Sequence, residues 1–208
     1  MLKGFIYSYL YFKPKLFISA ILLFSFLVIF GTLSHEYGHI VIAKFLGYET
    51  TLHYGSMSWF INGIDGELIA TKKEDFLVTM GGIFQTTLTG TIGLLVLYFS
   101  HSKLSFWIGI SLTLFWSREI INLIMSLSTG FLFNQPYFGG DELIISKLLD
   151  LPNGFIPISL GFLGLIFCLY AVFKINIKER LSFVLGGAFG GIITYIIWFG
   201  YLGKILLP

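Results

Sequence analysis

The sequence predicts an all-α polytopic membrane protein with about five transmembrane helices and a small membrane-surface β segment between the first two. Three observations carry this reading. Of 208 residues, 56% are hydrophobic and only 12% are charged, where soluble domains carry about 25% charged residues. The mean hydropathy is +0.86. The apolar residues also gather in runs close to the roughly 20 that a helix needs to cross the hydrocarbon layer. A soluble globular enzyme is excluded as the leading reading, as are collagen-like, disordered and disulfide-stapled chains. Thirteen Lys and Arg against eleven Asp and Glu are too balanced and scattered for a nucleic-acid footprint. The single cysteine, Cys168, sits in an apolar run as a small apolar residue and allows no intrachain disulfide.

Taken in order, the aromatic and basic residues 2–12 predict a short interfacial helix. No signal-peptide cleavage site follows, so the first apolar run reads as a retained membrane helix. Pro14 suits its first turn, where a missing N–H is harmless. That helix covers residues 16–34 and continues to about Phe45, with Gly47 as its C-cap. Residues 50–70 contain Asn62-Gly63 and Asp65-Gly66, which are hairpin signals. Charge-free runs at 76–100, 151–173 and 181–203 give three more helices. A fifth spans 104–129, broken only by Arg118 and Glu119. Gly186-Gly187 and Gly190-Gly191 place small residues four apart, as close helix packing requires. The chain reads as a single membrane-embedded domain, 1–208, with a catalytic core over about 16–150 and two additional helices over about 151–207. Lys3, Lys13, Lys15, Lys103, Lys174, Lys178 and Arg180, opposed only by Glu179, would share one side with the N-terminus, a bias that favours a cytoplasmic N-terminus.

The chemistry gathers at His35-Glu36-Tyr37-Gly38-His39, an H-E-x-x-H. Residues four apart on a helix lie nearly one above the other, so both imidazoles can reach one metal ion. Glu36, about 100° round the helix, can address a water on that metal. Ionisable groups at membrane depth are costly, which sets this cluster apart from a merely hydrogen-bonded His pair. A catalytic zinc usually takes three protein ligands and leaves one position open. His101 falls at the far end of the next helix, so it is discounted. Asp141 follows a segment rich in Pro and Gly (Asn134 to Gly140) that returns to the motif's side. It is the leading third ligand, with Glu142 and His53 as alternatives. Arg118 and Glu119 do not face each other on a helix, so each needs another partner: an interhelical ion pair and a role in substrate access are equal readings. Asn122, one turn on, is a candidate for hydrogen bonding a substrate backbone, set against an interhelical bond.

An intramembrane H-E-x-x-H, a surface β segment, a Gly-rich turn into the next helix and an Asn/Pro/Asp stretch together resemble the site-2 protease family of intramembrane metalloproteases. The resemblance covers roughly residues 16–150. The family's motif is Asn-x-x-Pro-x-x-x-Leu-Asp-Gly, and Pro136 to Asp141 reproduces its Pro-to-Asp interval. Asn134 lies one residue closer to the proline, while Gly140 and Glu142 replace the Leu and Gly around the Asp. Gly81-Gly82-Ile83-Phe84-Gln85 is similar to the family's Gly-Pro-x-x-Asn segment without its proline. The resemblance implies a divergent intramembrane zinc endopeptidase with one Zn²⁺ on His35, His39 and Asp141. Glu36 would be its general base, Asn122 and Asn134 its substrate-binding residues, and a membrane-spanning helix in the lipid bilayer its substrate. The same family more often places its site near the cytoplasmic face, whereas the lysine bias puts the H-E-x-x-H end on the other side. Rival readings are an inactive pseudoprotease scaffold for partner helices and a metal transporter. The first should have lost a ligand or base, and none is lost. The second should spread ionisable groups along several spans or show an inverted repeat.

Overall fold

The structure, a computed structural model, describes residues 11–60, 70–133 and 138–208. Eight α-helices and a two-stranded sheet make up the described chain: α1 Pro14–Phe45, β1 Glu49–Leu52, β2 Met57–Phe60, α2 Lys72–Tyr98, α3 Lys103–Thr113, α4 Ser117–Phe133, α5 Gly140–Leu148, α6 Phe155–Lys174, α7 Ile177–Ile197 and α8 Gly203–Leu206. A 3-10 turn, Leu114–Trp116, joins α3 to α4, and a π-helical turn, Trp198–Leu202, joins α7 to α8. Five helical stretches are long and apolar enough to cross a membrane: Pro14–Phe45, Lys72–Tyr98, Lys103–Leu132, Phe155–Lys174 and Ile177–Leu206.

The ends of these helices follow from local chemistry. Pro14 opens α1 in its first turn, as expected. The same helix closes in a Schellman motif, with the Tyr48 N–H donating to the Ala43 carbonyl and the Gly47 N–H to that of Lys44. Gly47 has φ +89° there, a conformation glycine adopts without penalty. α2 starts four residues before its apolar run. Thr71 and Glu74 form a reciprocal capping box, Thr71 N–H donating to Glu74 Oε2 at 2.8 Å and Glu74 N–H to Thr71 Oγ1 at 3.3 Å.

β1 and β2 pair antiparallel, Glu49 opposite Phe60 and Leu52 opposite Met57. Their turn is Tyr54-Gly55, closed by the His53 N–H donating to the Ser56 carbonyl at 2.9 Å. The β element therefore lies between the first two long helices as expected, but it turns earlier than Asn62-Gly63 or Asp65-Gly66. Those dipeptides lie outside the described residues, as do residues 2–10 of the expected interfacial helix. Residues 11–13 are not helical. The hairpin tip is tied to the C-terminal end of the bundle: Trp198 Nε1 donates to the Tyr54 carbonyl at 2.8 Å and the Tyr54 N–H to that of Leu207 at 3.0 Å.

The most extensive helix contacts are α1 with α7, α2 with α3, and α1 with α2. Glycines permit the first. A Cβ on Gly186 would stand 2.8 Å from the Ala20 Cβ, and one on Gly190 would stand 2.7 Å from the Ile21 Cα, so the glycines four apart serve helix packing. Thr194 Oγ1 donates to Ser25 Oγ at 2.7 Å across the same seam. A buried cluster of Ala20, Leu97, Ile110, Leu114, Ala171, Ile175 and Phe183 fills the interior, with Cys168 packed at its edge.

Candidate metal centre

α1 and α2 approach most closely at Gly38 and Gly81. A Cβ on either would stand 2.5 Å from the other's carbonyl oxygen. This crossing lays the His35–His39 face of α1 on the Val78–Thr86 stretch of α2. Both imidazoles are buried there: His35 is 0% exposed and His39 5%.

Each ring is anchored by its Nδ1 and turns its Nε2 toward the other ring and Asp141. His39 Nδ1 is 2.7 Å from the Val78 carbonyl. A carbonyl can only accept, so a ring proton on Nδ1 makes this bond and turns the Nε2 lone pair inward; the Gly82 N–H also reaches Nδ1, at 3.3 Å. His35 Nδ1 is 2.9 Å from Thr86 Oγ1, which can take its proton in the same way. The two Nε2 atoms then lie 3.1 Å apart. Asp141 Oδ2 completes the triangle, 2.8 Å from His35 Nε2 and 3.2 Å from His39 Nε2.

These residues fit a zinc ion. Bond lengths of about 2.0–2.1 Å around a tetrahedral centre put ligand atoms about 3.3 Å apart. The observed triangle is only slightly tighter, so small side-chain shifts open it to that size. The floor of the site is Gly82. A Cβ there would overlap His39 Nε2 and stand 2.6 Å from His35 Nε2. The anchored second nitrogens are what metal-ligating histidines normally show. Among the described residues, His35, His39 and Asp141 form the group able to hold an ion.

The alternative third ligands are engaged elsewhere. The His53 ring meets the Pro208 oxygen at 2.5 Å and Ser58 Oγ at 3.0 Å. Glu142, 1% exposed, accepts from Asn122 Nδ2 at 3.1 Å and faces Arg118 Nη1 at 3.8 Å. Its carboxyl also lies beside that of Glu119. Arg118 thus finds its partner on another helix, and this network ties α4 to the first turn of α5, where Asp141 sits. Asn122 makes the interhelical bond and also lines the cavity beside the site. Asn134 lies outside the described residues. His101 falls well away, since α2 rises about 24 Å between Gly82 and Tyr98.

Glu36 is 6% exposed and is not part of the triangle. It lines a cavity of about 680 Å³ together with Thr86, Arg118 and Asn122. Much of the remaining wall is apolar, including Phe24, Leu27 and Phe115, and the hairpin tip reaches it through Gly55.

Thr86 and the Val78 carbonyl were not legible as site groups, because only the helix crossing brings them to the rings. Replacing Thr86 by Val keeps the shape and removes the hydroxyl that holds His35. We expect zinc affinity to fall about 10- to 100-fold, measured by competition with a chromophoric chelator. An unchanged affinity would remove Thr86 from the site. The chain matches no protein-family model, no curated protein and no solved structure.

Proposed function

We propose that the protein is an intramembrane zinc endopeptidase that hydrolyses peptide bonds of membrane-spanning helices. The observation that carries this is the convergence of His35, His39 and Asp141 on one point, with the carboxylate of Glu36 buried next to it at a large, mostly apolar cavity. Membrane placement is supported by the five long apolar helices and by exposed apolar side chains along them, such as Leu22, Phe26, Leu95 and Ile192. So much apolar surface is unstable in water. The resemblance to the site-2 protease family agrees with the same site.

His35, His39 and Asp141 would hold the ion. When bound, zinc supplies Lewis acidity and brings the pKa of a water to about 7. Glu36 takes the proton of the attacking water and returns it to the leaving amine. Arg118 and Asn122, on the cavity wall, can donate hydrogen bonds to a substrate backbone. A helical substrate hides its peptide bonds and must unwind first. The two-stranded sheet offers an edge to which an unwound strand can add.

The test uses the full chain purified in a mild detergent and mixed with a single-span helical substrate. We expect one zinc per chain by elemental analysis and new peptide ends by mass spectrometry. 1,10-Phenanthroline should abolish the cleavage and added zinc should restore it. A protein that purifies without zinc and takes up none from a zinc buffer would overturn the reading in favour of a scaffold.

A further inference from the structure

At the other end of the bundle, a cavity of about 860 Å³ opens between α1, α3 and the turn from α6 to α7. Its lining divides by chemistry. Leu16, Leu23, Phe106 and Phe183 give an apolar wall, and Lys15, Lys103 and Lys174 stand round it with His101. One acid, Glu179, also lines it, but its carboxylate is already taken by Lys13 Nζ at 2.6 Å. Among the described residues, none of the three lysines has a carboxylate partner. Three helices also begin at this end: α1 after Lys13, α3 after Ser102 and α7 after Asn176. The dipoles of these helices add positive partial charge to that of the lysines.

The occupant must satisfy both halves of this lining. A free phosphate would leave the apolar wall uncovered, and an apolar partner helix would leave the ammonium groups without an anion, Lys174 having only the face of the Tyr170 ring 5.0 Å away. Lys15 and Lys103 stand at the start of two membrane-length helices and Lys174 at the end of a third, which is the depth of lipid headgroups. We propose that this cleft binds an anionic phospholipid, its phosphate held by Lys15, Lys103 and Lys174 and an acyl chain laid along Leu16, Leu23, Phe106 and Phe183. Basic pockets between membrane helices bind such headgroups. The lysine bias assigns this end to the cytoplasm, where anionic lipids attract basic segments. The site goes beyond the peptidase reading and depends only on membrane placement.

The test is native mass spectrometry of the full chain in neutral detergent, titrated with dioleoylphosphatidylglycerol, dioleoylphosphatidylcholine or inorganic phosphate. We expect one phosphatidylglycerol per chain, bound at least about tenfold more tightly than phosphatidylcholine, and not displaced by millimolar phosphate. Lys15→Gln/Lys103→Gln/Lys174→Gln should remove the preference, while Lys72→Gln/Lys73→Gln/Lys147→Gln should keep it, both with wild-type helix content by circular dichroism. Should the first triple variant fail to fold, Lys103→Glu alone reverses one exposed rim charge and should lower the preference severalfold. Equal binding of the two lipids, equal losses in the two triple variants, or an unchanged preference in Lys103→Glu would overturn the proposal. Displacement of the lipid by inorganic phosphate would also overturn it, leaving a small-anion site.

Discussion

Glu36→Gln should retain one zinc per chain and lose peptidase activity by about 10²–10⁴-fold, the range that a positioned general base contributes. The two halves of this result have separate physical causes. Zinc retention follows from geometry, because Glu36 lies outside the triangle of His35, His39 and Asp141 and glutamine has the same shape. Activity loss follows from chemistry, because an amide cannot take a proton from water at neutral pH. His39→Ala is the contrast, since it should lose metal and activity together. Elemental analysis and cleavage of a single-span substrate, run on one preparation, read both quantities. A Glu36→Gln variant that cleaves at the wild-type rate would remove Glu36 from the mechanism. One that loses its zinc would make it a ligand.

The parts legible in the sequence were those governed by local pattern. Apolar runs located the five membrane-length helices because length and composition decide them. The H-E-x-x-H located two members of the candidate site because helical periodicity alone stacks positions 35 and 39. Pro14 and Gly47 marked the ends of α1 for equally local reasons. The capping box of Thr71 and Glu74 is local as well, and it starts α2 four residues before the apolar run at Phe76. What could not be read depends on crossings between helices. Gly82 is one glycine among 24 until α1 and α2 meet at Gly38 and Gly81. Nor does the sequence pair Asn122 and Arg118 with Glu142, since that pairing needs α5 packed on α2 and α6, which sets Glu142 within reach of α4. Gly140 is informative in another way. It has φ +74°, a conformation that residues with a side chain rarely adopt. The turn that delivers Asp141 is therefore built for glycine.

Gly82→Ala tests whether that crossing builds the metal centre. We expect it to lose zinc affinity by at least about 100-fold, beyond the usual effect of a residue that merely supports a ligand. The added methyl would overlap His39 Nε2 and stand 2.5 Å from its Cε1 and 2.6 Å from His35 Nε2. Retreat of either helix would give up the close packing of the two backbones at Gly38 and Gly81, one residue away. The rings must rotate instead, breaking the hydrogen bonds to Val78 and Thr86 that aim their lone pairs. The overlap involves imidazole edges, which can swing aside, so the bundle should still fold and keep its helix content. Gly200→Ala is the control: a Cβ there meets nothing within 4 Å, and the site is far along the chain in the π-helical turn. Zinc titration and far-ultraviolet circular dichroism on both variants separate a blocked site from an unfolded protein. Wild-type zinc affinity in Gly82→Ala would mean that the ion is held away from the point where the two Nε2 atoms and Asp141 converge.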